Sequence, residues 1–97
     1  MSITMLRQQA AINRAGAHWI RLRILEILVQ SGAAHSPTQL ARQAQEPLAN
    51  ISYHTRVLLK LGCVKLVRRV PRRGAVEHYY QVTKRGRKVS MPPKQLS

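Results

Sequence analysis

Residues 47–61 place polar side chains on one side of a predicted helix, opposite an apolar stripe. The polar side carries Asn50, Tyr53, Arg56 and Lys60, with Ser52 and His54 on its flanks. Asn pairs with adenine and Arg with guanine through paired hydrogen bonds, and hydroxyl or imidazole groups bond to bases and phosphates. An ordinary solvated helix face is the alternative. The pattern favours a helix that reads base edges, with Arg56 and Lys60 closer to backbone phosphates.

A cluster of arginines follows this helix. Arg68, Arg69, Arg72 and Arg73 fall within six residues, in and before the segment Pro71-Arg72-Arg73-Gly74. The flanking runs Val64–Val70 and Val76–Val82 are rich in β-branched and aromatic residues, which predicts a hairpin with a basic tip. Such a tip can hold phosphates or enter a minor groove, although a simple polar turn is the alternative. We expect Glu77 to pair with a hairpin arginine.

Two further helices are needed to position these residues. From His18 onward, Ile20, Ile24, Ile27 and Leu28 recur at helical spacing, and Trp19 and Leu25 widen that apolar face up to a stop near Gly32. A second helix begins at Ser36-Pro37-Thr38-Gln39, which has the residues of a capping box with proline at the first helical position.

The predicted helix over residues 47–61 also has a stripe of residues that we expect to face the protein core. Its members are Leu48, Ile51, Thr55, Leu58 and Gly62. Glycine adopts the left-handed conformation that ends many helices at little cost in free energy.

The predicted elements together indicate the fold. A helix, a turn, a longer helix and a basic hairpin form the layout of a winged helix-turn-helix, a mainly α fold with a small β-hairpin. In that fold one helix enters the DNA major groove.

Charge and composition point to a polyanionic partner. The 97 residues suit a single small domain with a thin core, and 17 Lys+Arg against 3 acids give a formal charge of +14. Such a field attracts nucleic acid, although anionic membrane surfaces and ribosomal RNA share the attraction. No apolar run approaches the ~20 residues that span a bilayer. We therefore expect no membrane partner and a cytoplasmic, nucleoid-associated protein.

The sequence predicts neither a metal site nor an enzyme. The four histidines are far apart, and Cys63 is a lone cysteine that fits a reducing compartment and the start of a buried strand. Neither Cys-x-x-Cys nor His-x-x-x-His spacing occurs. The scattered acids form no acid–base pair, and we expect no cofactor.

The termini are predicted to serve other purposes. Residues 3–15 can form a helix with Ile3, Leu6, Ala10 and Ile12 on one side, and residues 1–16 are the candidate dimerisation element. Residues 17–83 form the predicted DNA-binding domain. The remainder, KRGRKVSMPPKQLS (84–97), lacks helical periodicity and is expected to be a flexible basic tail.

Four segments together resemble the ArsR/SmtB-type winged-helix transcriptional regulators. They are HWIRLRILEIL (18–28), SPTQLARQ (36–43), ISYHTRVLLKLGCV (51–64) and RRGAVEHYYQVT (72–83), so the likeness covers about residues 17–83. The resemblance implies that residues 47–61 are the recognition helix, with Ser52, Tyr53 and His54 on its Ser-His-His-like segment. It also implies operator binding by a symmetric dimer that usually represses transcription.

The chain departs from this family at three places. Residues 37–44 lack the cysteine box of the metal-sensing members, the basic tail replaces a C-terminal dimerisation helix, and Trp19 stands where proline is common. These differences argue against regulation by metal and against the usual dimer interface.

Taken together, the residues and the resemblance predict a homodimeric, sequence-selective regulator of double-stranded DNA, acting as a repressor. Two alternatives remain open. One is a DNA-coating or architectural protein with little sequence preference, which the extreme charge and the basic tail favour. The other is a basic module bound to RNA or the ribosome, although readers of single-stranded RNA usually display several stacking aromatic residues.

Overall fold

The computed structural model describes residues 18–90 and the isolated positions 7, 10 and 12. Within residues 18–90 the elements are α1 (Trp19–Ser31), α2 (Pro37–Ala44), α3 (Leu48–Lys60), β1 (Val64–Arg72), β2 (Ala75–Val82) and α4 (Lys84–Ser90). Arg7, Ala10 and Ile12 have helical backbone, as predicted for residues 3–15. The other positions of that segment, including Ile3 and Leu6, lie outside the described residues. The layout confirms the predicted winged helix-turn-helix.

Helix α1 supplies most of the core. Its buried residues are Ile20, Ile24, Leu25, Ile27 and Leu28. The helix ends at Gly32, which has a φ of 66° and donates its N–H to the Leu28 carbonyl. The prediction that Trp19 widens the buried face is wrong, because this side chain is 60% exposed. At about 100° per residue, Trp19 falls on the side of the helix opposite the Ile24 and Leu28 positions.

The predicted capping box begins α2. The Ser36 hydroxyl accepts from the Gln39 N–H at 3.2 Å, and the Gln39 side chain accepts from the Ser36 N–H at 3.1 Å. Pro37 occupies the first helical position, where a missing N–H leaves no bond unmade. Leu40 is fully buried and packs this short helix onto the core.

Three of the five residues in the predicted inward stripe of helix α3 are buried. Ile51, Thr55 and Leu58 are buried, and Gly62 takes the predicted left-handed conformation with a φ of 76°. Leu48, however, is 49% exposed, so its predicted inward position is wrong. It stands in the first turn at the edge of the buried face, beside the hairpin.

The hairpin is longer and its turn tighter than predicted. The two strands pair antiparallel up to Arg72 opposite Ala75, so the turn consists of Arg73 and Gly74 alone rather than all of residues 71–74. Both turn residues have positive φ, 43° and 82°, as in type I′ hairpin turns. A bulge between Leu66 and Arg68 interrupts the register and bends the strand.

A single-residue bridge joins the hairpin to the connection between α1 and α2. The N–H of His35 donates to the Tyr80 carbonyl, and the N–H of Tyr80 donates to the His35 carbonyl, both at 2.9 Å. The bridge fixes the base of the wing against the helices. It is too short to leave a strand pattern in the sequence.

The expectation of a flexible tail from residue 84 is wrong for Lys84–Ser90, which form α4. Thr83 starts this helix, because its hydroxyl accepts from the Gly86 N–H at 3.2 Å and donates to the Gly62 carbonyl at 2.6 Å. Arg85 donates to the Leu61 carbonyl at 2.7 Å, and Val89 is buried in the core. Residues 91–97 lie outside the described part of the chain.

The core lies between α1, α2 and α3 and is closed by α4 and the base of the wing. Cys63, Val64, Tyr80 and Val89 join the helical residues in this cluster. Across the described residues, no helix has the length and apolar character needed to cross a membrane.

Candidate nucleic-acid interface

The predicted polar side of α3 is exposed. Asn50, Tyr53, Arg56 and Lys60 all face solvent, and Ser52 is half-buried at the flank. Ala49 is exposed beside them, and its small side chain leaves space for a ligand at this position of the first turn. The exposure agrees with the spacing in the sequence. Contact between these side chains and DNA bases stays a prediction.

His54 does not belong to this exposed set. Its side chain is only 7% exposed, and its Nδ1 accepts a hydrogen bond from the Nε of Arg21 at 3.2 Å. Four residues bring a helix almost back to the same side, so His54 lies near the buried Leu58 position. The prediction that His54 contacts a base is therefore corrected, since its ring faces α1 instead.

A cleft of about 500 Å³ separates α3 from the wing. It brings together the predicted Ser52, Arg56 and Arg72 with further residues of α2, α3 and β2, which include Pro37, Thr38, Leu48, Thr55, Val76, Glu77, His78 and Tyr80. The Thr55 hydroxyl is buried and has no hydrogen-bond partner among the described residues. The cleft combines cations, hydroxyl groups and an apolar floor, which suits the sugar-phosphate backbone of a nucleic acid.

Sequence reasoning missed Thr38 and His78 as candidate contacts. Thr38 stands in the first turn of α2, where helices present unpaired N–H groups toward anions. His78 pairs with Arg69 across the hairpin and lines the cleft. The capping box at Ser36 is the sequence signal for Thr38. The side of the hairpin on which His78 lies depends on the bulge, which the sequence does not reveal.

Glu77 pairs with Arg72, as predicted. The Arg72 Nε lies 3.0 Å from a Glu77 carboxylate oxygen, and the arginine side chain stays 62% exposed. Hydrogen bonding to Ser36, and then to Arg72 together with its charge, holds the pKa of the Glu77 carboxyl below its ordinary value. The carboxylate is therefore ionised at neutral pH, and it offsets part of the positive charge on the cleft side of the wing.

The remaining wing arginines occupy different surroundings. The Arg68 guanidinium lies 4.3 Å from the centre of the Tyr79 ring, a cation–π contact on the hairpin itself. Arg69 and Arg73 are exposed, and Arg73 is one of the two turn residues. Lys60 stands in the last turn of α3 and does not line the cleft. The predicted cations thus lie in the cleft, at the tip, on β1 and, for Lys60, at the end of α3.

Metal-binding residues are not grouped in the described part of the chain, where no three His, Cys, Asp or Glu side chains lie close enough to hold an ion. Cys63 is fully buried in the core, as predicted. Burial raises the pKa of its thiol despite the opposing charge of Arg85. A protonated, inaccessible thiol is a packing residue rather than a nucleophile.

Known proteins of similar sequence and structure are helix-turn-helix domains. The helix-turn-helix domain family matches residues 17–67, more than half of the chain. No curated protein matches the chain significantly.

Two solved structures from Mycobacterium bovis are similar over 93% of this chain, each with a TM-score of 0.67. One is the solution NMR structure of the homodimeric winged helix-turn-helix DNA-binding domain of a possible ArsR-family transcriptional regulator, 25% identical, with 78% of its chain covered. The other is a crystal structure of a possible transcriptional regulatory protein, 26% identical, with 87% of its chain covered. The present chain belongs to the helix-turn-helix domain family, and its hairpin gives it the winged form seen in the Mycobacterium bovis domain.

Proposed function

We propose that this protein is a transcriptional regulator that binds double-stranded DNA sequence-selectively as a homodimer and represses its targets. One observation carries the proposal, namely the exposed face of α3 beside a cationic cleft and wing. Asn50 and Tyr53 offer base-specific bonding groups, while Arg56, Arg72 and Arg73 offer charge for the backbone. The combination matches a recognition helix in the major groove flanked by a wing on the phosphates.

A homodimer is part of the proposal for a geometric reason. Two-fold DNA sites require two recognition helices about 34–36 Å apart, one turn of the duplex, which a fixed dimer supplies. The Mycobacterium bovis domain is homodimeric. Residues 1–16 are the proposed dimerisation element, residues 17–83 the DNA-binding domain, and the described Ile12 is half-buried against the core.

Selection of bound sites from random duplex DNA tests the proposed function. A sequence-selective dimer enriches a palindromic motif whose half-sites are about one helical turn apart. A reporter gene that carries the selected motif upstream then tests the sign of regulation, since a repressor lowers its expression. Uniform enrichment across the pool would contradict selectivity.

The competing function is a DNA-coating protein, and the charge distribution favours it. The formal charge is +14, and α4 adds a run of basic residues, Lys84, Arg85, Arg87 and Lys88. Such a protein binds through phosphate charge with little preference among sequences.

The remaining alternative is an RNA-associated module. The same selection with a structured RNA pool tests it, because only an RNA-binding protein would prefer RNA to duplex DNA.

Loss of base contacts is expected to affect only the preferred site. Asn50→Ala or Tyr53→Ala should weaken binding to the selected duplex by about 1–3 kcal/mol and weaken binding to random duplex much less, because base-edge bonds carry discrimination. Fluorescence anisotropy on both duplexes measures the two losses. Gln43→Ala, at an exposed amide on α2 away from the cleft, is the control and should change neither. Equal losses on both duplexes would move Asn50 and Tyr53 to the phosphate-contact class.

The dimer is expected to depend on the N-terminal segment. Deleting residues 1–15 should give a less stable and largely monomeric protein that binds a palindrome much more weakly, because each monomer then engages one half-site. Sedimentation of the intact and shortened chains at tens of micromolar gives the direct measurement. An intact chain that sediments as a monomer both free and on DNA would contradict the arrangement.

A further inference from the structure

Two imidazole rings join the start of α1 to the middle of α3. The ring centroids of His18 and His54 lie 4.3 Å apart with an interplanar angle of 37°. His18 is the N-cap residue of α1, and His54 is the buried histidine of α3. The pair therefore connects the recognition helix to the element that precedes the helix-turn-helix.

Each ring accepts a hydrogen bond at Nδ1. His18 accepts from the backbone N–H of Ile20, and His54 accepts from the Nε of Arg21, both at 3.2 Å. Backbone N–H and guanidinium groups are donors, so each Nδ1 must offer a lone pair, and each neutral ring holds its proton on Nε2. Both hydrogen bonds therefore exist only while the two imidazoles are neutral.

Protonation would remove these acceptors and add repulsion. Among the described residues, the charged and titratable groups facing His54 are His18 and Arg21 from the start of α1 and Tyr53 from its own helix. Burial first, and then the charges of His18 and Arg21, lower the pKa of His54 below its usual 6.5. Because the folded pKa is depressed, this contribution to stability is complete above the unfolded value and is lost as the pH falls through the folded one.

His54 also contacts a residue of the proposed reading face. The Tyr53 ring meets it edge to face, with centroids 5.0 Å apart and an interplanar angle of 75°. Tyr53 is 54% exposed, so part of its ring is available to a base while the ring also contacts His54. A displacement of the His54 ring would therefore change the packing against Tyr53.

We propose, building on the DNA-binding function above, that His18 and His54 are positioning residues that hold α3 and Tyr53 in the base-reading orientation only while both rings are neutral. Selectivity for the preferred duplex then falls in acid. Non-specific affinity should not fall with it, because binding through phosphate charge does not depend on the orientation of the base-reading side chains. The two trends distinguish positioning from a general charge effect.

The test compares the affinity for the selected duplex with that for random duplex at fixed salt, at several pH values from about 7.5 to about 4.5, because the lowered pKa of His54 requires a pH well below the ordinary histidine value to protonate it. We expect the ratio of the two affinities to drop about tenfold in acid, the size expected for one lost hydrogen bond to a charged group. Circular dichroism at each pH establishes that the protein is still folded, so that unfolding is not mistaken for a change in selectivity.

Non-titrating variants identify the groups responsible. In His18→Asn/His54→Asn, each amide oxygen can replace Nδ1 as an acceptor, and asparagine remains a good N-cap. The affinity ratio of this variant should be nearly independent of pH. His18→Asn alone is a milder second variant and should show a smaller drop. His35→Asn is the matched control, since it removes a histidine that does not line the cleft and whose bridge to Tyr80 uses backbone groups only, and it should keep the drop.

The outcomes separate this inference from the function on which it rests. A wild-type ratio that does not fall in acid, or a fall that the double asparagine variant retains, contradicts the positioning role alone. Loss of the fall in His35→Asn assigns the effect to a different histidine and also contradicts it. A protein with no preferred duplex at neutral pH contradicts the proposed function and the inference together.

Discussion

Arg72→Ala/Arg73→Ala is expected to weaken binding to every duplex, selected or random. These two cations lie at the end of the wing, one on the cleft and one in the turn, and both are exposed. A phosphate contact contributes about −0.9 to the slope of log K against log salt concentration. Four arginines in a dimer should therefore make the slope less steep by roughly 3 to 4. Titrations at several salt concentrations measure both the affinity and the slope.

The two arginines are not expected to contribute equally. Glu77 already pairs with Arg72, so Arg73→Ala should weaken DNA binding more than Arg72→Ala does.

Glu77→Gln removes the negative charge from the cleft and should strengthen binding to all duplexes. Lys65→Ala is the matched control, because it removes one exposed charge from the base of the same hairpin. A double alanine variant with an unchanged salt slope would show that the wing tip does not touch the backbone.

Gly86→Ala is expected to be strongly destabilising although it improves helix propensity. Alanine in place of a helical glycine normally gains about 1 kcal/mol. A methyl group at Gly86, however, would overlap the Cys63 carbonyl oxygen and a Val82 methyl group. Backbone cannot rotate aside, so α4 would have to move away and strain the bonds of Thr83 and Arg85 to the end of α3. We expect the free energy of unfolding to fall by about 2–4 kcal/mol.

Chemical denaturation measures this loss, with Gly32→Ala as the comparison. Gly32 has open space around it and a φ of 66°, so alanine there pays for its backbone conformation alone. That cost is about 1–2 kcal/mol. A Gly86→Ala protein as stable as the parent would mean that α4 does not pack closely against the backbone of Cys63.

Features that depend on near neighbours in the chain could be predicted from the sequence. The capping box needs only Ser36 and Gln39, and the left-handed conformation at Gly62 needs only a glycine after an apolar stripe. The hairpin followed from β-branched residues around a turn. Its turn length did not, because Arg73 adopts a positive φ that residue type alone does not indicate.

The errors concern contacts between distant segments. Because of their basic composition, residues 84–90 were predicted to be flexible. They form a helix whose start and packing depend on contacts with Gly62, Leu61 and Cys63. His54 was predicted to be exposed because the sequence does not reveal that His18 and Arg21, at the start of α1, contact it. The exposed face of α3 was predictable, whereas the cleft that joins it to α2 and the wing required the tertiary structure.

The end of α3 has a consequence for synthesis on the ribosome. Two carbonyl groups there accept from side chains that come 21 and 24 residues later in the chain. A nascent chain therefore exposes all of α3 before the donors that close its end have been made. Small domains generally fold as units, so α3 reaches its final form only after the wing and α4 have emerged. Incomplete chains that stop within the wing lack these donors and are not expected to compete with the finished protein for its DNA sites.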